Sequence, residues 1–499
     1  MSESWFRTGR CSQHRSRPTS YAGAPAPARV AFNVAALLAA SLAFTNAHAE
    51  TMSDALARAY RTNPDLNQQR AGVRASDETV PQATAAYRPT VTATGQFGYS
   101  NLSAHEPGTG VSSLGGIGAG GAITSGSFKA STDTGNIGAT MTETIFNGNR
   151  NYNGVRQAES NVLGARETLR NTEESVLQNG ATAYMDVLRD TAILDLRKNN
   201  IIVLEEQLRQ TRDRFNVGEV TRTDVAQAAS SLASARSDYF TAQANLETSI
   251  ANYHEVIGVD PNRLEPARSV EGLLPHTLDS AILVAMHEHP EVQAALHQVD
   301  AAELQVKIQE GALMPTVTLN GSVAQNYNDE GEPGFRLFNA TVLGSVSVPI
   351  YTGGLVDAQV RQAKEQLSQA ELQMDLQRTQ VRASVVSNWG LLDTAKAVII
   401  SDDSAVKSAE IALEGVREEA RVGQRTTLDV LNAQQTLLNA RVSLVSAQRD
   451  RVVASYATLA SVGELSSDQL GLDIVRYDPT VHFNQVKDKW FGLRTPDGR

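Results

Sequence analysis

Few residues in this chain have the types and spacing that enzyme chemistry requires. The single cysteine is Cys11, so the chain beyond it contains no thiol nucleophile, thiolate ligand or disulfide. His287, Glu288 and His289 are consecutive, but no third ligand follows at helical spacing. We interpret them as an exposed connection between helices. With no Ser/His/Asp cluster either, the sequence predicts no enzyme and no cofactor.

A glycine-rich match to the dinucleotide-binding pattern lies at residues 116–121. Such a site requires a strand, a tight turn and then a helix. The match instead falls within residues 100–136, a Gly/Ser/Thr-rich stretch between two predicted strands. We interpret this stretch as a flexible loop, and we do not expect a nucleotide site there.

Charged residues follow two similar glycine turns. Asp224 follows Gly218, and Arg425 and Asp429 follow Gly423. An Asp after a glycine turn commonly caps the next helix, and this spacing alone favours that role. Thr223 and Thr427 are candidates for starting those helices.

The first 49 residues have the pattern of an export signal. Five arginines precede an apolar run at residues 30–43, and Ala47-His48-Ala49 is a small-x-small cleavage site. Cys11 precedes the apolar run, so we expect no lipid anchor. Removing five arginines and one glutamate with this segment changes the net charge from −11 to −15. This acidity argues against nucleic acid as a partner, and in a pore it would favour cations over anions.

Two segments of the chain repeat each other. Asn63-Pro64 recurs as His289-Pro290, at an offset of 226 residues. Further on, the offset is 205, and Gly218 matches Gly423. The difference falls in the loop between two strands, where surface connections tolerate changes of length. We therefore predict two internal repeats.

Each repeat contains long proline-free stretches with apolar residues at steps of three, four and seven, which is coiled-coil spacing. The stretch from Gly148 to Gly218 alone corresponds to about 105 Å of helix. A helix of this length does not fit an ordinary compact domain.

Each repeat also contains two runs of alternating apolar and small polar residues, as in outer-membrane strands. Four strands cannot close a membrane barrel, and an open edge is not viable in lipid. Several chains must therefore contribute to one barrel.

These patterns predict the following organisation. Residues 1–49 are the signal peptide, 50–275 the first repeat, 276–463 the second repeat and 464–499 a C-terminal tail. The predicted strands are 90–99, 137–146, 316–325 and 338–350, and the predicted long helices are 148–217, 223–257, 353–421 and 427–462.

Three segments resemble the TolC family of outer-membrane factors: PIYTGGLVDAQVRQA at 349–363, RFNVGEVTRTDV at 214–225 and VGQRTTLDVLNA at 422–433. The resemblance covers about residues 51–465. It implies an α+β membrane protein, in which a homotrimeric twelve-stranded β-barrel, four strands per protomer, continues into an antiparallel α-helical coiled-coil tunnel in the periplasm.

The resemblance also implies a function. Such a duct lies in the outer-membrane lipid of a Gram-negative bacterium and serves type I secretion or multidrug efflux. It docks to a periplasmic adaptor and an inner-membrane ABC or RND pump, carries no cofactor and performs no chemistry. The sequence does not identify the cargo, the pump or the adaptor.

In this family the tunnel is closed at the turns between the long helices. The matching positions are Thr223, Asp224, Arg425, Asp429 and Asn432. Asp224 with Arg425 would form a closing ion pair, and Asp429 would line the constriction. Asn432 stands where the family has a second aspartate, and Ala420 where it has a tyrosine that helps lock the tip. These departures imply one acidic ring and a weaker lock.

Two other interpretations remain open. A periplasmic adaptor-like coiled-coil protein would bind without forming a channel, although the alternation over residues 340–350 is against it. An outer-membrane enzyme would need a triad assembled in space from distant residues.

Overall fold

The computed structural model describes residues 50–105, 127–328 and 334–498. The predicted signal peptide at 1–49 and the glycine-rich match at 116–121 lie outside these ranges. The predicted loop 100–136 is only partly within them.

The described residues form long helices and one sheet. The helices are α1 (Met52–Thr62), α2 (Pro64–Asp77), α3 (Thr79–Thr84), α4 (Arg150–Asn216), α5 (Arg222–Ile257), α6 (Leu278–Glu288), α7 (Pro290–Gly311), α8 (Leu355–Arg421), α9 (Thr427–Val462) and α10 (Pro479–Val486). The strands are β1 (Thr90–His105), β2 (Ser127–Asn147), β3 (Thr316–Tyr327) and β4 (Arg336–Ser347).

Two helical hairpins make up most of the described chain. Helices α4 and α8 each contain 67 residues, and their partners α5 and α9 each contain 36. At 1.5 Å per residue, each long helix extends about 100 Å. Helix α4 starts at Arg150, two residues later than predicted, because Gly148 and Asn149 have φ of +69° and +62°. Positive φ is incompatible with a right-handed helix.

The sheet is antiparallel in the order β1-β2-β3-β4. Its helix-side end comprises the first residues of β1 and β3 and the last residues of β2 and β4. Thr90 pairs with Thr142, and Thr316 pairs with both Asn147 and Ser347. Within the described ranges, β1 and β4 are each paired on one side only.

The strand boundaries differ from those predicted. β1 and β2 remain paired as far as His105 and Ser127, so much of the predicted loop 100–136 is strand. Hydrogen bonds between strands are made by backbone groups and need no apolar side chains. The Gly/Ser/Thr-rich composition therefore gave no sign that the strands continue into this stretch. β4 ends at Ser347 instead of residue 350, because Pro349 has no amide hydrogen to donate.

Large apolar side chains on the sheet are exposed. The side chains of Val91, Phe97, Val342 and Val346 are 66–78% accessible. In water such a surface is unfavourable, so this face requires a different environment or a partner.

The largest buried cluster lies where α1, α2 and the hairpins meet. It includes Leu56, Tyr184, Tyr253 and Leu459. The Tyr184 hydroxyl lies 2.8 and 2.7 Å from the carbonyl oxygens of Glu50 and Glu265. This contact holds the start of the described chain against the connection between the two predicted repeats.

In the described part of the chain, no helix is both long enough and apolar enough to cross a membrane.

Candidate functional site

The turn between α4 and α5 is closed by a glycine and a capping box. Gly218 has φ of +79°, and the Glu219 amide donates to the Arg214 carbonyl oxygen at 2.9 Å. Thr221 then caps α5. Its hydroxyl donates to Asp224 Oδ2 at 2.7 Å, and its backbone amide donates to the same oxygen at 2.8 Å.

The turn between α8 and α9 has the same arrangement. Gly423 has φ of +81°, and the Gln424 amide donates to the Glu419 carbonyl oxygen at 2.9 Å. The Thr426 hydroxyl and amide donate to Asp429 Oδ2 at 2.9 and 3.0 Å. Both predicted aspartates therefore have the same structural role.

The residues that start these helices are not the ones we expected. Thr221 and Thr426 are the caps, whereas Thr223 is exposed within the first turn of α5 and Thr427 is buried at the start of α9. The T-x-x-D spacing of a capping box was the signal in the sequence that would have identified them.

Each turn also contains an ion pair, and the two pairs have opposite orientations. In the first, Arg214 on the helix contacts Glu219 in the turn at 3.0 Å. In the second, Glu419 on the helix contacts Arg425 in the turn at 2.8 Å. Sequence reasoning missed Glu419. Among the described residues of the single chain, Arg425 thus pairs within its own turn, and Asp224 accepts hydrogen bonds from Thr221. The predicted ion pair between Asp224 and Arg425 stays a prediction about the assembly.

Hydrogen bonds favour the charged form of both capping aspartates. The hydrogen bond from the Thr221 hydroxyl lowers the pKa of Asp224, and the one from the Thr426 amide is the main cause that lowers the pKa of Asp429. Hydrogen bonding to Glu419 raises the pKa of Arg425. One turn beyond Asp429, Asn432 is exposed and adds no charge.

The two turns lie side by side at the same end of the two hairpins. Leu431, two residues after Asp429, packs into a buried cluster formed by α4 and α5, beside Leu208 and Leu232. Asp429 and Asn432 are therefore held next to the first hairpin. The structure thus places all five predicted gate residues at the tips of adjacent hairpins.

A buried polar cluster that the sequence did not reveal lies between α4, α7, α8 and α9. Glu174 is 3% exposed and lines a groove of about 400 Å³. Burial raises its pKa to about 9, although Arg170 partly opposes the shift. Glu291 nearby accepts hydrogen bonds from the side chains of Asn171 and Gln377.

His289 belongs to the same groove and is not exposed, contrary to our expectation. Its side chain is 7% accessible, and Nδ1 accepts a hydrogen bond from the Glu291 amide at 3.2 Å, which caps α7. Within the described ranges, no three His, Cys, Asp or Glu side chains are placed to hold a metal ion.

Comparison with known proteins identifies the family. Residues 55–259 and 282–464 match the family model of outer membrane efflux proteins. The chain belongs to this family. The matched residues include both hairpins and all four strands.

Named members of the outer membrane efflux protein family resemble the chain along most of its length. The outer membrane efflux protein BepC of Brucella suis is 41% identical over 450 residues, which are 90% of this chain and 93% of BepC. The outer membrane protein TolC of Escherichia coli is 25% identical over 436 residues, covering 85% and 84% of the two chains.

Solved structures show the same fold. The CmeC outer membrane channel of Campylobacter jejuni superposes with a TM-score of 0.70, at 16% identity, over 88% of this chain and 89% of that chain. These relatives are named as outer-membrane proteins and channels rather than as enzymes. The predicted location in the outer membrane and the predicted TolC-type family are confirmed.

Proposed function

We propose that the chain is one protomer of a passive exit duct, which conducts cargo from an inner-membrane pump to the exterior. The observation that carries this proposal is a four-stranded sheet that exposes apolar side chains and leaves β1 and β4 with unpaired edges in the described chain. In lipid such edges must be paired with other chains.

In this proposal three copies assemble into a twelve-stranded barrel, and their six hairpins continue it as a tunnel through the periplasm. The long helices, at about 100 Å each, support the tunnel because they extend far beyond an ordinary domain. A periplasmic adaptor and an ABC or RND pump would complete the system. The names of two relatives, the outer membrane efflux protein BepC and the alkaline protease secretion protein AprF of Pseudomonas aeruginosa, support efflux and secretion as its task.

The gate would lie at the hairpin tips. Three copies of Asp429 would form an acidic ring, and Arg425 would pair with Asp224 of another hairpin in the closed state. Arg425 is about half exposed, and among the described residues it forms an ion pair with Glu419 alone, so a carboxylate of a neighbouring hairpin can reach its guanidinium. The gate would then open when Arg425 releases the carboxylate of Asp224 and pairs with Glu419 of its own turn.

The test is single-channel conductance of the purified protein in planar bilayers. We expect a small, cation-selective current in the wild type and a clearly larger current in Arg425→Ala. Asp224→Asn, which removes the charge but keeps an oxygen for the Thr221 cap, should behave like Arg425→Ala.

Glu419→Gln is the matched control, because it removes the partner that Arg425 has within its own turn. If Arg425 closes the gate through Asp224, this variant leaves the current small. If Glu419→Gln and Arg425→Ala increase the current equally, the pair of Arg425 with Glu419 keeps the channel closed by stabilising its own turn, and Asp224 is not its partner. A well-folded protein without any current would contradict the duct itself.

A further inference from the structure

The segment after α10 exposes three large apolar side chains. Trp490 is 68% accessible, Phe491 is 90% accessible and Leu493 is fully accessible. The segment forms a compact loop, because Lys489 Nζ donates to the Arg494 carbonyl oxygen at 2.5 Å. An exposed apolar cluster of this kind marks an interaction surface.

This loop is fixed beside the helix-side end of the sheet. The guanidinium of Arg88 stacks on the Trp490 ring at 4.5 Å, and its Nη1 donates to the Lys489 carbonyl oxygen at 2.9 Å. Arg88 precedes Thr90, the first residue of β1, by only two positions. The apolar side chains are therefore held where the strands meet the helices.

A buried contact secures the preceding helix, α10. His482 Nδ1 lies 2.9 Å from Asp77 Oδ2, and the Asp77 side chain is completely buried. Just before α10, the ring centre of Tyr477 lies 5.4 Å from the guanidinium of Arg70, which also lies 4.4 Å from the ring centre of Tyr60. The position of the loop thus follows from tertiary contacts.

Other aromatic side chains lie at the same level. Tyr87 and Tyr152 are 46% and 55% accessible. The two are held together because Asn151, next to Tyr152, donates its side-chain amide to the Ala86 carbonyl oxygen at 2.7 Å. Aromatic side chains collect in this way at the boundary between a membrane and water.

The charge of the loop differs from that of the chain. Residues 487–494 contain Lys487, Lys489 and Arg494 against a single acid, Asp488, whereas the whole chain has a net charge of −11. Basic residues beside apolar ones are attracted to anionic phospholipid headgroups.

We propose that residues 487–494 form an interfacial anchor, which inserts Trp490, Phe491 and Leu493 among the phospholipid headgroups on the periplasmic face of the outer membrane. The anchor rests on the proposed function, since it requires that the strands span the bilayer. It lies beside Arg88, three residues before Val91, where the exposed apolar side chains of β1 begin. The anchor would fix the depth at which the duct sits in the membrane.

Tryptophan fluorescence tests this proposal. The three tryptophans are Trp5, within the predicted signal peptide, Trp389 and Trp490. In the mature protein with Trp389→Phe, emission therefore reports on Trp490 alone. The protein is reconstituted into phosphatidylethanolamine/phosphatidylglycerol vesicles that contain phosphatidylcholine brominated near the headgroup or near the bilayer centre. We expect a larger loss of fluorescence with the shallow bromine, and weak quenching by aqueous acrylamide.

Two outcomes would overturn the anchor. If acrylamide quenches Trp490 strongly and neither brominated lipid does, Trp490 lies in water. Protection from acrylamide and from both lipids places it under protein, either a second copy or a partner.

A second reporter separates failure of the anchor from failure of the duct. Phe97→Trp, made with Trp389→Phe and Trp490→Phe, places the only tryptophan of the mature chain in the middle of β1. If brominated lipid quenches this reporter but not Trp490, the strands span the bilayer and only the anchor is wrong. If it quenches neither reporter, the proposed function itself fails.

Discussion

At the level of single residues, Asp224 and Asp429 can cap a helix and act in a gate at the same time. Both capping boxes use Oδ2 of the aspartate. A carboxylate offers about four acceptor positions. In the hydrogen bonds of the described residues, Oδ1 of each aspartate is left for a group outside the chain. The capping role that the spacing favours and the gating role that the family resemblance implies therefore do not exclude each other.

Substitutions at Asp429 should separate these roles. Asp429→Asn keeps an oxygen for Thr426 but loses the charge, so cation selectivity should fall while the start of α9 stays protected from hydrogen exchange. Thr426→Ala keeps the charge and removes the cap, which costs about 1 kcal/mol of local stability. If Asp429→Asn leaves selectivity unchanged, Asp429 does not line the constriction.

Burial of Glu174 leads to a prediction about pH. Its raised pKa, about 9, means that the folded protein holds a proton that the unfolded chain releases near the ordinary value of 4.5. Stability from this group is thus fully present at low pH and is lost as pH rises from 4.5 towards 9.

Glu174→Gln, which is always neutral, should therefore raise the unfolding temperature in detergent at about pH 8 and change it little at about pH 4. Each unit of pKa shift corresponds to about 1.4 kcal/mol, so the gain is on the order of a few kcal/mol. Glu414→Gln, at an exposed position of α8, is the control. A variant no more stable than the wild type at the higher pH would show that Glu174 is ionised in the fold.

At the level of elements, the proline-free stretches and coiled-coil spacing predicted the long helices to within a few residues. The ends were less predictable, because they depend on backbone conformation at Gly148 and Asn149, and on caps provided by Thr221 and Thr426. The pairing of Arg425 with Glu419 could not be predicted, because it depends on the backbone conformation of the turn that brings Arg425 back to the end of α8.

The glycines in the turns should resist substitution. Gly423→Ala places a Cβ at φ of +81° and should cost about 1–2 kcal/mol in the hairpin. Gly415→Ala, in the interior of α8 with open space around the added Cβ, should instead stabilise by about 0.5–1 kcal/mol. Hydrogen exchange at the two sites measures both effects. If both substitutions change the stability equally, the turn can adopt a conformation without positive φ at residue 423.

At the level of the whole molecule, the proposed duct requires that other chains pair with the two edges of the sheet. Alternation in the sequence predicted the four strands, and the limits on a four-stranded barrel predicted an assembly. The placement of residues 487–494 beside β1 was not predictable, because it depends on contacts such as Arg88 with Trp490 between residues about four hundred positions apart.

Disulfide trapping should detect pairing between copies. The predicted mature chain contains no cysteine, so new ones stand alone. Thr92→Cys in β1 and Ser345→Cys in β4 lie equally close to the helix-side end. Cα atoms of paired edge strands are about 4.5–5.5 Å apart, which a disulfide can bridge.

In membranes the double variant should form covalently linked trimers on oxidation, with Ser347→Cys as an alternative partner if the strands are offset. Each single variant should remain unlinked. If no combination forms a linked species in a protein that still conducts, the two edges do not meet.

The equal lengths of the two hairpins restrict how such a protein can change in evolution. One inserted residue turns a helix by about 100°, and would move every apolar side chain beyond it off the packed face. A whole heptad, about 10.5 Å, preserves the packing without local unwinding or overwinding of the helices. It must be inserted in both arms of a hairpin, and in α4, α5, α8 and α9 together if the tips are to stay level. The distance that this protein reaches from its membrane can therefore change only by large, coordinated steps, so a cell with a wider periplasm must adapt other components to this length.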